Sequence, residues 1–214
     1  MRTSGIDLTS ECSDEEVAEI NRIIFEERIS GNFLEVGTAA GGTLVEIMKS
    51  AEKISEDSKF FVLDTFNYFP DQKEKVIQNL NNHGLSTNRL TMWEGNTEQY
   101  FPQCEAQALK FQFIFIDGDH RASFVQKDVK WLNQLSINGI ACFHDYCPRF
   151  AGVMWAVNRI FSFSSSFEVL SKRDRLLIVR RRDTVNIHRG YFSRLSGKWA
   201  ETRFRIIRSI RKRL

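Results

Sequence analysis

The chain has 214 residues, 42% of them hydrophobic, which suits one domain followed by a short tail. No apolar run approaches the ~20 residues of a membrane-spanning helix, and the N-terminus is too acidic and polar for a secretory signal, so we expect a cytoplasmic protein. The net charge of +3 conceals a division, because residues 1–171 hold 15 basic and 24 acidic side chains whereas residues 172–214 hold 15 and 3. Any anionic partner is therefore expected at the C-terminal end.

Hydrophobic periodicity predicts alternating helices and strands along most of the chain. Ser13 and Glu16 predict a capping box at the start of the first helix, and Thr43 and Glu46 predict another after a glycine-rich loop. The predicted helices are 14–30, 43–53, 71–82, a short one that starts at Asn96, 122–135 and 151–162. The predicted strands are 32–36, 60–64, 89–94, 111–116 and 140–144, the last entered by a turn at Asn138-Gly139.

Two further strands, 167–170 and 176–179, flank a polar segment and predict an antiparallel hairpin at the end of the sheet. Five βα units and a hairpin predict an α/β fold, Rossmann-like and doubly wound, with a seven-stranded, mostly parallel sheet. We expect this domain over residues 1–182 and a basic amphipathic tail over residues 183–214.

The tail from residue 191 onward has helical spacing of apolar side chains with basic ones between them. Such a helix can lie on an anionic membrane surface, which would place the protein peripherally at the inner membrane, or it can bind RNA or pack on another subunit. Alternatively, its apolar face covers the parent domain and its charges are solvated. The apolar set is Tyr191, Phe192, Leu195, Trp199, Ile206 and Ile210, and the basic set is Arg194, Lys198, Arg205, Arg208 and Lys212.

A carboxylate ends or closely follows each of the first five predicted strands. Ligands of an open parallel sheet bind beyond the carboxyl ends of its strands, so these side chains mark the expected site. Clustered carboxylates repel one another, and a cationic ligand or a metal would relieve that cost. The five residues are Glu35, Asp64, Glu94, Asp117 and Asp145.

The glycine loop distinguishes between nucleotide ligands. Its pattern, Gly37-x-x-x-Gly41-Gly42, differs from the G-x-G-x-x-G that approaches a pyrophosphate, and Glu35 would repel a phosphate. S-adenosylmethionine carries an ammonium and a sulfonium that suit Glu35, and a carboxylate that suits the amides at a helix N-terminus. The loop therefore fits the methyl donor, and Asp64 is placed to accept both hydrogen bonds of a ribose diol, a device that NAD enzymes share.

Acidic and imidazole side chains also accompany the fourth and fifth strands. Asp117 and Asp145 offer carboxylate oxygens that could hold Mg²⁺, and the ion would lower the pKa of an acceptor hydroxyl. His120 is then the natural general base, since an imidazole titrates near neutral pH. Alternatively, His120 caps the following helix or is solvated, Asp119 serves the helix N-terminus, and His144 is a packed residue bonded to a neighbouring strand.

Taken together, Phe33-Leu34-Glu35-Val36-Gly37, Ile116-Asp117-Gly118-Asp119-His120 and His144-Asp145-Tyr146 resemble the class I methyltransferases with an IDGDH…FHDY pattern, over roughly residues 30–180. Relatives include macrocin-type and aminocoumarin-type sugar O-methyltransferases and, more distantly, catechol-type enzymes. The resemblance implies S-adenosylmethionine-dependent methylation of an oxygen on a small molecule or saccharide, with Mg²⁺ as an optional second cofactor. By the same resemblance, Glu35, Gly37, Thr38, Ala39, Gly41, Gly42, Asp64, Thr65, Asn96 and Asp117 hold the methyl donor, Asp117 and Asp145 bind the metal, and His120 or Asp119 is the base.

Three other functions stay open at this point. The cationic tail suggests an RNA methyltransferase, although the acidic body of the domain argues against it. A nicotinamide-dependent oxidoreductase is disfavoured by the missing G-x-G, and a noncatalytic scaffold by the retained base and carboxylates. A homo-oligomer is a further open expectation.

Overall fold

The structure, a computed structural model, describes residues 10–184, 187 and 196–211. The chain divides into two compact units, Met1–Asn96 and Thr97–Leu214. The predicted fold class is confirmed, since the chain forms a Rossmann-like α/β fold with a seven-stranded, mostly parallel sheet and a terminal antiparallel hairpin.

The first unit has three parallel strands in the order β3-β2-β1. Its register pairs Glu35 with Val62 and Asp64 with Glu94, so consecutive strands end at the same edge. The elements are α1 (Asp14–Glu26), β1 (Asn32–Val36), α2 (Gly42–Glu52), β2 (Lys59–Asp64), α3 (Gln72–Asn82), a 3₁₀ turn (Thr87–Arg89) and β3 (Leu90–Glu94).

The second unit has four strands in the order β4-β5-β7-β6. β4 and β5 are parallel, whereas β7 runs antiparallel to both of its neighbours. The elements are α4 (Thr97–Ala106), β4 (Phe111–Ile116), α5 (Ala122–Asp128), 3₁₀ turns at Val129–Asn133 and Pro148–Phe150, β5 (Leu135–Phe143), α6 (Ala151–Phe163), β6 (Phe167–Arg173), β7 (Leu176–Arg181) and α7 (Ser196–Arg211).

The core of the second unit is built on aromatic side chains. Trp131 is fully buried and meets Phe101 and Phe111 edge to face, with ring centroids 5.4 and 6.0 Å apart. Val125 and Leu132, near it in the chain, are also buried. Edge-to-face contacts of this kind add to the free energy gained from burial, so this cluster anchors β4 and the chain that precedes β5.

One of the two predicted capping boxes is confirmed. Ser13 and Glu16 bond to each other's backbone at the start of α1. The second prediction is wrong, because α2 begins at Gly42 behind Gly41, whose left-handed φ of 80° suits glycine and lets the helix start one residue earlier. Thr43 instead shares a hydrogen bond with Ser10, 2.7 Å between their hydroxyl oxygens.

Two predicted boundaries in the second unit also move. The helix predicted over 122–135 changes to 3₁₀ winding after Asp128, which brings Val129 and Leu132 onto one buried face. β5 begins at Leu135 rather than 140, since the predicted turn at Asn138 is a bulge within the strand, where the pairing register with β4 shifts.

The C-terminal helix is present over Ser196–Arg211 and packs against α5 and α6. Tyr191, Phe192, Arg194, Leu195 and Lys212 of the predicted amphipathic pattern lie outside the described residues. No helix in the described part of the chain is both long enough and apolar enough to cross a bilayer.

Candidate active site

The glycine loop after β1 takes an unusual backbone path. Gly37, Ala39 and Gly41 all have positive φ, at 82°, 45° and 80°. A Cβ on Gly41 would lie 3.1 Å from a methyl carbon of Val76, so glycine there permits both the left-handed turn and the close approach of α3. These left-handed backbone conformations, together with the missing side chain at Gly41, explain why β1 can run directly into α2.

Thr38 joins the acidic ends of β1 and β2, forming what we call the loop cluster: Glu35, Thr38 and Asp64. Its hydroxyl donates to Glu35 Oε2 at 2.6 Å, and its backbone N–H donates to Asp64 Oδ2 at 2.9 Å. Glu35 is 3% exposed, whereas Asp64 is half-buried and its Oδ1 accepts from the backbone N–H of Phe66 at 2.8 Å. Each Asp64 oxygen retains a lone pair after these bonds, which leaves acceptor capacity for a diol.

Two amide side chains that the sequence analysis missed hold the loop from α3. Gln72 Nε2 donates to the carbonyl oxygen of Ala39 and Asn79 Nδ2 to that of Ala40, both at 3.0 Å. Both side chains are buried, and their spacing of seven places them on one face of the helix. The available signal was the presence of two polar residues on the face of α3 that also carries Val76 and Leu80.

The other predicted donor-binding residues lie at the borders of these elements. Gly42 is the first residue of α2 and is buried. Thr65 is exposed directly after β2, and its hydroxyl donates to Asn67 Oδ1 at 2.7 Å. Asn96 is exposed and immediately precedes α4, where the helix was expected to start. The roles predicted for these three residues stay predictions.

The second unit gathers the charged residues that follow β4 and β5, which we call the strand-end cluster: Asp117, His120, His144, Asp145 and Arg175. His120 Nε2 lies 2.9 Å from Asp145 Oδ2 and 3.7 Å from Asp117 Oδ1. One ligand atom from each of these three residues lies within 4.8 Å of the other two. The two predicted metal ligands and the predicted base are thus brought together.

Two members of the cluster were not assigned a role there from the sequence. His144 is 3% exposed, with Nδ1 3.0 Å from Asp117 Oδ2, so it is packed as expected but also contacts a predicted metal ligand. Arg175, at the tip of the β6–β7 hairpin, donates from Nη1 to Asp145 Oδ1 at 2.8 Å. No local pattern pointed to Arg175, because thirty residues separate it from Asp145.

Charge pairing sets the protonation states in this cluster. The carboxylates of Asp117 and Asp145 raise the pKa of His120 to about 9, although burial opposes the shift. Burial alone would raise the pKa of Asp145, but the hydrogen bond from His120 and the nearby cationic side chains hold it below its ordinary value. His120 is therefore an imidazolium at neutral pH, and its side chain is 40% exposed where those of Asp117 and Asp145 are 11% and 6%.

Asp119 is committed to a different partner. Its carboxylate accepts from the backbone N–H of Arg121 at 2.8 Å and from the Arg121 guanidinium at 2.8 and 2.9 Å. Although burial opposes the shift, these bonds lower the pKa of Asp119. Arg121 is the N-cap residue of α5, so these bonds favour the alternative in which Asp119 serves the helix N-terminus. His120 is then the stronger candidate for the base.

A close approach of α6 fixes the backbone beside His120. A Cβ on Gly152 would lie 2.3 Å from the carbonyl oxygen of His120 and 2.6 Å from the backbone nitrogen of Ala122. The Phe150 ring contacts the imidazole with centroids 4.4 Å apart. The start of α6 thus supports His120 through both backbone and ring contacts.

The chain matches one family model and shares its fold with several solved structures. A family model described as a methyltransferase domain matches residues 34–146. No curated protein matches the chain.

Solved structures share this fold at low sequence identity. The O-methyltransferase from Bacillus cereus in complex with SAH has a TM-score of 0.66 and 15% identity, over 81% of this chain and 83% of that one. The O-methyltransferase TomG from Streptomyces achromogenes, involved in tomaymycin synthesis and in complex with SAM, has a TM-score of 0.65 and 12% identity, over 80% and 82%. For the O-methyltransferase NovP the values are 0.65 and 18%, over 79% and 80%.

Proposed function

The chain belongs to the methyltransferase-domain family, and from this premise we propose that it transfers the methyl group of S-adenosylmethionine to a hydroxyl oxygen of a small molecule or saccharide. Three structures of similar fold support the donor and the acceptor atom, since all three are O-methyltransferases and two hold SAM or SAH. Family membership also favours this function over the nicotinamide-dependent alternative.

The observation that carries the proposal is the chemistry of the loop cluster. Glu35 sets a buried carboxylate beside the glycine loop, where it suits the cationic amino-acid end of the donor and opposes a pyrophosphate. Asp64 presents half-buried oxygens at the end of β2 that could receive the ribose hydroxyls. Both functions match residues that the first unit brings together through Thr38.

In the second unit, we assign proton transfer to the strand-end cluster. His120 reaches solvent, so it can contact an acceptor hydroxyl, and Asp117 and Asp145 orient its ring. Because Nε2–H is held by the carboxylates, the imidazolium must first lose its Nδ1 proton. The Nδ1 lone pair then accepts the hydroxyl proton while the oxygen attacks the methyl carbon, and the bond from that carbon to sulfur breaks to release S-adenosylhomocysteine. Positioning the two reactants can itself lower the barrier by ~7–11 kcal/mol.

The same cluster fits a divalent ion. Asp117, His120 and Asp145 would each contribute one donor atom, and the mixed oxygen and nitrogen set suits Mn²⁺ or Zn²⁺ better than Mg²⁺, which prefers oxygen ligands. His120 would then be a metal ligand and not the base. Such an ion would act as a Lewis acid that lowers the pKa of an acceptor hydroxyl. Arg175 would hold Asp145 through its other oxygen in either case, because it bonds Oδ1 while Oδ2 faces His120.

A methyl-transfer assay over a panel of acceptors tests the proposal. The full chain is incubated with methyl-labelled S-adenosylmethionine and with saccharides, catechols or RNA, with and without added divalent cations. We expect label in a saccharide or catechol fraction. Label only in RNA would overturn the acceptor class, and no labelled product together with no binding of S-adenosylhomocysteine would overturn the function itself.

A further inference from the structure

The C-terminal helix turns large apolar side chains towards solvent. Trp199 is 75% exposed and Ile206 is 56% exposed. Seven residues separate them, so they lie on one line along α7, two turns or ~10 Å apart. We call the surface formed by Lys198, Trp199, Arg203, Arg205 and Ile206 the outer face of α7.

The opposite side of the helix is fixed against α5. A Cβ on Gly197 would lie 2.7 Å from the Cα of Ser123, and Glu201 Oε1 accepts from the backbone N–H of Ser123 at 2.8 Å. Ala200, between them, is buried. Because these contacts set the rotation of α7, Trp199 and Ile206 cannot turn inwards without undoing them. Trp199 and Ile206 therefore do not cover their own domain, which was the alternative role for the apolar side of the tail.

Cations flank the exposed apolar line. Lys198, Arg203 and Arg205 are all exposed, with Arg203 on one side of the line and the other two on the opposite side. The acidic side chain of this helix, Glu201, is directed at Ser123 on α5. The outer face therefore combines an apolar centre with a positively charged border.

We propose that the outer face of α7 docks on the surface of a lipid bilayer that contains anionic phospholipids. A tryptophan is suited to the headgroup region, where its ring is buried and its N–H stays hydrated, and the flanking cations face the negative surface. Ile206 separates this partner from RNA, which would pair with the cations and stack on Trp199 but would give a projecting aliphatic side chain little to bury against. The proposal is independent of the methyl-transfer activity.

Vesicle flotation of the full chain tests the proposal. Vesicles of phosphatidylcholine alone are compared with vesicles that also contain phosphatidylglycerol, at low and high salt. We expect at least about tenfold stronger partition onto the anionic vesicles, reduced by salt because the attraction is screened. The double variant Lys198→Ala/Arg205→Ala should lose about fivefold per cation removed.

A second pair of variants separates apolar insertion from charge. Trp199→Ala/Ile206→Ala should weaken binding to anionic vesicles by about tenfold or more while the melting temperature stays within a few degrees, since both side chains are exposed. Phe25→Ala is the matched control, because Phe25 is a 63% exposed aromatic on α1, and it should bind as the unchanged protein does.

Equal partition onto neutral and anionic vesicles would overturn the proposal. So would unchanged vesicle binding by Trp199→Ala/Ile206→Ala, because binding would then use another surface. A third outcome would assign the surface to RNA instead. In that outcome the full chain binds a single-stranded RNA oligonucleotide but no vesicles, and both double variants lose the RNA binding.

Discussion

The loop cluster and the strand-end cluster are held in different ways. Around the loop, backbone N–H groups and the neutral amides of Gln72 and Asn79 make the supporting hydrogen bonds. In the strand-end cluster, carboxylates are balanced by His120 and Arg175. Neutral hydrogen bonds do not titrate, whereas ion pairs do. We therefore expect donor binding to be insensitive to pH near neutrality and proton transfer to depend on it strongly.

Removal of the candidate base should give the largest effect. His120→Gln should lower turnover by about 10²- to 10⁴-fold, because a positioned general base contributes that much, while affinity for S-adenosylhomocysteine stays unchanged. Turnover is measured with the best acceptor from the panel, and affinity by calorimetry. Equal loss of turnover and affinity would assign His120 to binding, which would remove the distinction between the clusters.

The pH dependence of turnover should be the next largest effect. Because the carboxylates raise the pKa of His120 to about 9, the fraction of neutral imidazole rises about tenfold per pH unit below that value. Turnover at saturating substrates should accordingly increase from pH 7 to pH 9 and then level off. A metal ion bound to His120 would displace its proton and flatten this rise, so the series is run with and without a chelator. A flat profile in the chelated protein would contradict the assignment of the base.

Loss of Arg175 should have an intermediate effect. Arg175→Ala removes the guanidinium from Asp145 Oδ1, so the Asp145 carboxylate is less well oriented and less well balanced. We expect turnover to fall about tenfold, with partial rescue in Arg175→Lys, since a lysine restores the charge but not the geometry. Arg173→Ala, on the same hairpin, is the control. An unchanged turnover in Arg175→Ala would show that Arg175 stabilises the hairpin but does not support Asp145 in the reaction.

The last effect concerns stability, not turnover, and lies outside both clusters. Burial raises the pKa of Asp128 to about 7 even though the Thr97 hydroxyl donates to it at 2.5 Å. The folded-state pKa of Asp128 lies above the unfolded value of 3.8, so the folded state binds the proton more tightly. The contribution of Asp128 to the free energy of unfolding is therefore complete below pH ~4. It is lost as the pH rises through about 7, by at most ~1.4 kcal/mol per pH unit.

Asp128→Asn should flatten the dependence of unfolding free energy on pH between about 4 and 7, as measured by urea denaturation. Glu105→Gln, an exposed carboxylate on α4, should leave the slope unchanged. His120 does not affect the slope in this window. Its pKa is raised, so its contribution to the free energy of unfolding is lost between pH 6.5 and about 9. An unchanged slope in Asp128→Asn would show that another group titrates in this window.

Local sequence patterns predicted the strands and the carboxylates that lie at the strand ends. The apolar runs 32–36 and 111–116 match β1 and β4, because continuous hydrophobic segments bounded by turn residues are typical of strands buried on both faces. The carboxylates at strand ends could be assigned to one edge because parallel strands share a direction. Such rules use only neighbours in the chain.

Contacts between distant residues could not be predicted in this way. Arg175 reaches Asp145 from a hairpin, and Gly152 meets the His120 backbone from a helix. Helical spacing correctly placed Trp199 and Ile206 on one side of α7, but it does not say which side packs. A small residue, Gly197, decides that by letting the other side approach α5.

Calorimetric titration at pH 7 tests the central claim, that the loop cluster receives a sulfonium donor and not a dinucleotide. The full chain should bind S-adenosylhomocysteine in a one-to-one complex and should not bind NADH. Asp64→Asn should weaken that binding by about tenfold, the loss of one good hydrogen bond to a charged group, while the exposed control Asp57→Asn retains it. Binding of NADH without S-adenosylhomocysteine, or full affinity in Asp64→Asn, would contradict the claim.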